Sequence, residues 1–430
     1  MALYDELTAK QRRTIKRDLG TIISLKGMLF PNQLDELKAN IDEVGFYPVH
    51  LKNKDSYLTK DGLSALRRIN DSIYLARQFE HLLSYDDIFQ AALSEIARWV
   101  NLGGIPDDGE FIPPLEEKLL TLIDAYTFAC KVDGVLLEGI DKIIVGSYEI
   151  RRYAPSLVNG LNQTNTDIVD SINRDFTNCY LIVGSETGSH RVALEKFYYN
   201  AEQSLSILRL YSCALYKTAI YRLNILLFNE QRDSSSFGWK NSDKSFTYNR
   251  HAAKQELTVG NEFLSLVIQR FCFSKASSLI SKKDKNELEN AIVKSIYWIG
   301  EAQKDPSTAS SWVKLWASVE CYFTRNNKEV TEANARGISS VLVHGGFLHE
   351  EYNDYKSLKQ KIKKYYSLRS KTVHHAEFNH IDEHDLADFG YIVAWVIVTM
   401  VSLLNKGYTS LDQIQAQVEN SDTTESDHNK

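Results

Sequence analysis

The run FGYIVAWVIVTMVSLL, Phe389 to Leu404, is apolar nearly all the way round and limits what this chain can fold into. A helix without a polar face must be enclosed on every side, by lipid or by other helices. A bilayer span takes about 20 apolar residues, whereas this run is shorter and contains Gly390, Thr399 and Ser402. The expectation is therefore a soluble protein in which this segment is the centre of a helical bundle.

The sequence around it supplies the enclosing helices. Asp284 and Glu287 read as a capping pair, and Leu288, Ala291, Ile292, Ser295, Ile296 and Ile299 then recur on one face. SSWVKLWASVECYF places Trp312, Leu315, Trp316, Val319 and Phe323 on one stripe. A third helix is expected from about Thr331 to Val343, stopping at Gly345-Gly346, and a fourth from about Glu350 to Val373. The apolar helix, from about Asp385 to Leu404, is the fifth, and short connections make these antiparallel neighbours. The bundle is expected over 281–415, with the polar residues 416–430 as a disordered tail.

Ahead of it, residues 1–135 read as mostly helical. LSALRRINDSIYLARQFEHLL, YDDIFQAALSEIARWV and LEEKLLTLIDAYTFACKV carry three- and four-residue apolar spacing, with NLGGIPDDGEFIPP as a loop. Over 136–280 the character changes. IDKIIVGSYEIRRY, NCYLIVGSE and YRLNILLF read as strands, NGLNQTNTD and NEQRDSSSFGWKNSDKS as loops, and His190 to Tyr216 as a long helix. The fold class is thus mainly α, a C-terminal bundle preceded by helical and mixed α+β regions. GSETGSH follows a strand and precedes a helix. It lacks the closing Lys-Ser or Lys-Thr and the glycine spacing of a phosphate loop, so it reads as a turn.

A net charge of −6 over 430 residues argues against a nucleic-acid-coated protein, but not against a local basic patch. One such patch exists. Tyr355 to His375 contains Lys356, Lys359, Lys361, Lys363, Lys364, Arg369 and Lys371 and no acidic residue. Phosphate backbones attract such stripes, and tyrosines stack on bases. Lys361, Lys363, Lys364, Lys371 and Tyr366 are the RNA-contact candidates, against the plainer reading of a solvated helix face. The five cysteines (Cys130, Cys179, Cys213, Cys272, Cys321) include no CxxC pair, which points to reduced thiols in the cytoplasm. The N-terminus lacks the apolar core of a signal peptide, and no GxSxG elbow or GxGxxG fingerprint occurs.

The basic stripe ends in Arg369-Ser-Lys-Thr-Val-His374-His375. A histidine exchanges protons near neutral pH, and an arginine stabilises charge on phosphoryl oxygens. The pair therefore suits phosphodiester chemistry. On an ideal helix Arg369 and His374 lie about 140° apart. They converge only if the helix ends or distorts between them, or if two copies face each other.

LWASVECYF on one helix, YYSLRSKTVHH at the end of a later one and a strongly apolar closing helix together resemble the HEPN superfamily, in particular the Apea-like HEPN domains of bacterial defence proteins. The resemblance covers about residues 281 to 410. It implies a metal-independent endoribonuclease with no cofactor, acting as a homodimer in which two R-x4–6-H motifs share a cleft. Such an enzyme serves in antiviral defence or abortive infection as a toxin, with transfer RNA among its targets. A phage component, a nucleotide or a partner protein would be its trigger. Carried over, Arg369 binds phosphate, His374 is the general acid and base, and Ser370 supports the site. Glu320 matches a glutamate common in the subgroup and either positions the arginine or closes a core ion pair. His375 stands where relatives often have glycine, and either histidine satisfies the spacing.

Two other classes compete with this one. His374, His375, His380 and His384, interleaved with Glu377, Asp382, Glu383 and Asp385, could hold a metal, although no helical HExxH spacing occurs. The bundle could also bind RNA or a partner protein without cutting.

Overall fold

The computed structural model describes residues 2–24, 27–29, 47–51, 54–158, 166–227, 234–239, 246–251, 255–324, 329–347, 349–351, 354–377 and 380–428. Two compact units emerge, Met1–Phe128 with Ser185–Tyr198, and Ala129–Gly184 with Tyr199–Lys430. The described residues are mainly helical, with antiparallel strands and one short parallel pair.

In the first unit the principal helices are α1 (Ala9–Ile23), α2 (Lys60–Tyr74), α3 (Tyr85–Leu102) and α4 (Asp108–Thr121). Each starts on a Thr, Ser or Asp whose side chain accepts an otherwise orphaned backbone N–H. Ile15, Leu19, Leu66, Ile69, Ile88, Ile96, Phe111 and Leu115 form the common core. Arg68 on α2 grips the buried Asp18 of α1 with two hydrogen bonds, at 2.8 and 3.0 Å. The loop expected over NLGGIPDDGEFIPP is much shorter. Gly103 (φ 75°) ends α3, and a capping box of Asp107 and Glu110 starts α4. Pro113 and Pro114 lie inside α4, where burial of Phe111, Ile112, Leu115 and Leu119 offsets the lost backbone bonds. DAYTFACKVD, read as a continuation of that helix, is strand β1 (Asp124–Asp133). Its aromatic and β-branched side chains suit the pleat.

In the second unit β2 (Lys142–Val145) and β3 (Tyr148–Arg152) form a hairpin over IDKIIVGSYEIRRY. β3 pairs with β4 (Tyr180–Gly188) over NCYLIVGSE, and the sheet order is β2-β3-β4-β1-β5, where β5 is Leu226–Leu227. YRLNILLF contributes only those two strand residues. Gly184 to Gly188 continue β4, so the turn expected over GSETGSH shrinks to Ser189 before α5 (His190–Leu215). Within the stretch read as the loop NEQRDSSSFGWKNSDKS, Ser234–Trp239 is a strand paired antiparallel with Phe246–His251. Its polar composition hid it. The rest of that stretch, and most of NGLNQTNTD, lie outside the described residues.

The bundle comprises α6 (Glu287–Lys304), α7 (Thr308–Phe323), α8 (Val330–His344), α9 (Tyr355–His375), α10 (Glu383–Asn405) and α11 (Leu411–His428). α10 packs against α6, α7 and α8. From Leu386 to Leu404 every residue except the half-buried Tyr391 is buried, so α10 is enclosed by the protein. Phe389 stacks between Trp312 and Trp316 of α7, with ring centroids 4.8 and 4.5 Å away. Gly337 of α8 leaves room for Phe323 of α7: a Cβ there would fall 2.3 Å from the ring.

Three boundaries differ from the sequence reading. α6 is capped by Asn286 with Glu289, not by Asp284 with Glu287, because Glu287 instead accepts the Leu411 amide at 3.0 Å. α9 begins at Tyr355 rather than near Glu350 and runs unbroken to His375. The segment read as a disordered tail is helical through His428, and α11 is held by buried Leu411, Ile414 and Val418 on one face.

His349 lies flat on Trp395, with centroids 4.6 Å apart, and burial pushes its imidazole down to about 4 from an ordinary 6.5. A base with a depressed folded pKa contributes stability above its unfolded value. That contribution is lost as pH falls, because the unfolded chain takes up the proton first. Stability should therefore fall by about 3 kcal/mol between pH 6.5 and 4 through this residue alone. Chemical denaturation across that window should show the slope in the wild type and a shallower one in His349→Phe. Gly337→Ala should gain about 1 kcal/mol of helix propensity but lose about 1–3 kcal/mol to overpacking. A melting temperature below wild type is expected, and an unchanged one would mean that Phe323 swings aside.

Candidate functional site

α9 turns Tyr365 and Arg369, four residues apart, toward the same neighbours. Tyr365 is buried, and its hydroxyl donates to Asp388 Oδ2 of α10 at 2.9 Å. Asp388 also receives Lys361 Nζ at 2.5 Å and Lys217 Nζ at 2.7 Å. Burial alone would raise the Asp388 carboxyl, yet the two lysines hold it below its ordinary value.

One turn further on, Arg369 is one-fifth exposed and reaches back to α7, where its Nη2 donates to Glu320 Oε2 at 3.3 Å. Its guanidinium also lies over the Tyr366 ring, 5.6 Å from the centroid, and Tyr366 packs edge-on against Trp316 at 4.9 Å. The pair is only half made. Arg369 Nε and Glu320 Oε1 are both buried and have no hydrogen-bond partner. Burial raises the Glu320 carboxyl, and the attraction of Arg369 and Tyr366 does not fully offset it.

His374 and His375 occupy the exposed last turn of α9. Ala376 ends the helix in the left-handed region (φ 54°), its N–H bonded to the Lys371 carbonyl. The helix neither ends nor distorts between Arg369 and His374. Within one chain the arginine turns inward to Glu320 while the histidines face solvent. Ser370 is half-buried and makes no hydrogen bond among the described residues.

The RNA-contact candidates separate into two groups. Lys361 is tied to Asp388, and Lys363 joins Lys359 on Glu332 of α8, at 2.5 and 2.8 Å. Tyr366 is packed between Trp316 and Arg369. Lys364 and Lys371 are exposed, and neither forms an ion pair among the described residues. Sequence reasoning missed Asp388 and Glu332, the two carboxylates that neutralise the stripe. Both are distant in sequence, although a lone aspartate at the head of an apolar run was a usable signal.

The histidine cluster does not assemble as a unit. Asp382, His384 and Asp385 bring ligand atoms within 4.8 Å of one another, without His374 or His375. His380 instead turns to α9, its Nε2 3.1 Å from the Leu368 carbonyl oxygen and 3.4 Å from Thr372 Oγ1. Asp382 is also the N-cap of α10, accepting the Asp385 amide at 2.7 Å.

Comparison with protein-family models, with curated proteins and with solved structures gives no match to this chain.

The raised Glu320 carboxyl has a consequence for stability. An acid whose folded pKa exceeds its unfolded value binds its proton more tightly in the native state. The charged form therefore costs stability at neutral pH, and the cost disappears as pH falls through the folded pKa. Glu320→Gln should melt higher than wild type at pH 7, and the two should converge toward pH 4.5, the ordinary value for a glutamate. Thermal melts across pH 4.5 to 8 would check this, and a variant less stable than wild type at pH 7 would contradict it.

Proposed function

We propose that residues 281–415 are a HEPN-type bundle and that the protein is a metal-independent endoribonuclease acting as a homodimer in antiviral defence. The observation that supports this best is the end of α9. An arginine is braced there by Glu320 and Tyr366, and a histidine pair stands in solvent one to two turns further on. A half-buried guanidinium supplies a fixed positive charge for a phosphodiester, and an exposed imidazole can approach a substrate from outside. Because the two face apart on one straight helix, the acid, the base and the anion-binding group come together when a second copy brings its own α9 alongside.

In this reaction the ribose 2′-hydroxyl attacks the adjacent phosphorus while His374, or His375 in its place, takes the hydroxyl proton. The bond from phosphorus to the 5′-oxygen breaks, and the proton passes from imidazolium to that leaving oxygen, so the proton balance closes. Arg369 offsets charge on the non-bridging oxygens. The products are a 2′,3′-cyclic phosphate and a 5′-hydroxyl. Lys364 and Lys371, exposed on the same helix, would hold the backbone on either side. Transfer RNA is the substrate class to test first. The regions ahead of residue 281 would receive the trigger.

The grouping of Asp382, His384 and Asp385 favours the rival metal-dependent reading, and one assay separates the two. Purified wild type and His374→Ala are incubated with total cellular RNA, with and without EDTA, and the wild type is examined by sedimentation. Cleavage by a dimer that survives the chelator and falls roughly 100-fold or more in the variant is expected. Cleavage abolished by EDTA would bring the metal group forward. Undiminished cleavage by His374→Ala would pass the acid and base role to His375, and undiminished cleavage by a variant lacking both histidines, or by a monomer, would sink the composite site.

A further inference from the structure

Arg369, the group assigned to phosphate, is already occupied by an anion. Among the described residues its ionic partner is Glu320, at 3.3 Å through one Nη2–Oε2 hydrogen bond. Arginine–carboxylate pairs frequently form a two-pronged fork, which is the stronger geometry. Here the second prong is absent on both sides, because Arg369 Nε and Glu320 Oε1 are buried and have no hydrogen-bond partner. Both side chains keep an outer edge, the arginine 20% and the glutamate 22% exposed. The guanidinium also lies over the Tyr366 ring, 5.6 Å from its centroid, and Tyr366 packs edge-on against Trp316. The arginine thus keeps an aromatic contact when the carboxylate leaves it.

We propose that Glu320 is an internal counter-ion occupying the anion subsite of Arg369, and that a phosphate group displaces it on binding. This rests on the reading of Arg369 as a phosphate-binding residue. It differs in making Glu320 a competitor of the substrate and not a support for it. The carboxylate imitates two of the oxygens of a phosphodiester. Tethered to α7, it leaves unpaired the Nε donor that a phosphate, free to set its own angle, can satisfy together with Nη2. Burial disfavours the charged form of Glu320, so the resting pair carries a cost that the incoming anion relieves. A site closed in this way holds weak or stray anions poorly and opens for a polyanion that Lys364 and Lys371 also grip.

The test uses the full chain and inorganic phosphate as the probe, read by NMR on the Arg369 Nε–H. That signal is assigned by its disappearance in Arg369→Lys. Phosphate should perturb it at about tenfold lower concentration in Glu320→Gln than in wild type, the tenfold corresponding to 1.4 kcal/mol. Glu320→Asp, which keeps the charge and loosens the contact, should fall between them. Circular dichroism melts verify that both variants fold. An equal response in wild type and Glu320→Gln, a weaker response in Glu320→Gln, or no response in either would overturn the proposal. RNA cleavage by the same preparations, against His374→Ala, reports separately on the parent reading. A phosphate gain together with RNA cleavage that is undiminished when both His374 and His375 are replaced would keep the counter-ion and sink the ribonuclease site. Cleavage lost with His374 and no phosphate gain would do the reverse.

Discussion

The enclosure of α10 is the constraint on which the rest of the bundle depends. An apolar helix with no polar face loses free energy in proportion to every face left in water, at about 25 cal/mol per Å². α6, α7 and α8 must therefore close around it, and they do so through large rings. Phe389 fills the space between Trp312 and Trp316, and Trp312 in turn meets Tyr365 of α9 edge-on at 5.2 Å. The single carboxylate at the head of this buried run, Asp388, would be expensive unpaired. Two lysines and a tyrosine hydroxyl satisfy it, and in doing so they fix the rotation of α9 about its own axis. Once that rotation is set, Arg369 has no choice but to face α7.

The same contacts change the meaning of the basic stripe. Counted along the chain, α9 is a continuous run of cations. In three dimensions Glu332 takes two of them and Asp388 a third, so the uncompensated positive surface is narrower than the count of lysines suggests. Lys364 and Lys371, exposed and without an ion pair among the described residues, lie on the part of the helix that leads to the histidines. The neutralised lysines thus serve the packing of α9 against α8 and α10.

The legible parts of the fold were those with a strong local period. The helices α6 to α10 are visible from apolar spacing, and strand character over IDKIIVGSYEIRRY from its β-branched run, while its folding back as the β2–β3 hairpin is seen only in the structure. The errors fell where local signals compete. Pro113 and Pro114 argued for a loop, but capping by Asp107 and burial of Phe111 and Leu115 outweigh them. DAYTFACKV continues an apolar rhythm that fits either period over so short a stretch, and in the structure it is strand β1. The helical character of α11 depends on Leu411, Ile414 and Val418 finding a surface on α8 and α7, and composition carries no trace of that surface.

By itself the sequence determined that a bundle must exist around residues 389 to 404. It also placed an arginine and a histidine pair at the end of a basic helix. Periodicity and side-chain chemistry are local properties, and both can be read from neighbours in the chain. The tertiary structure alone decided that the helix stays straight through the motif, and that Glu320 rather than His374 meets Arg369. It also decided which lysines are consumed by Asp388 and Glu332. Those outcomes depend on distances between residues tens of positions apart, which are set only when the helices pack and the buried charges must each find a partner.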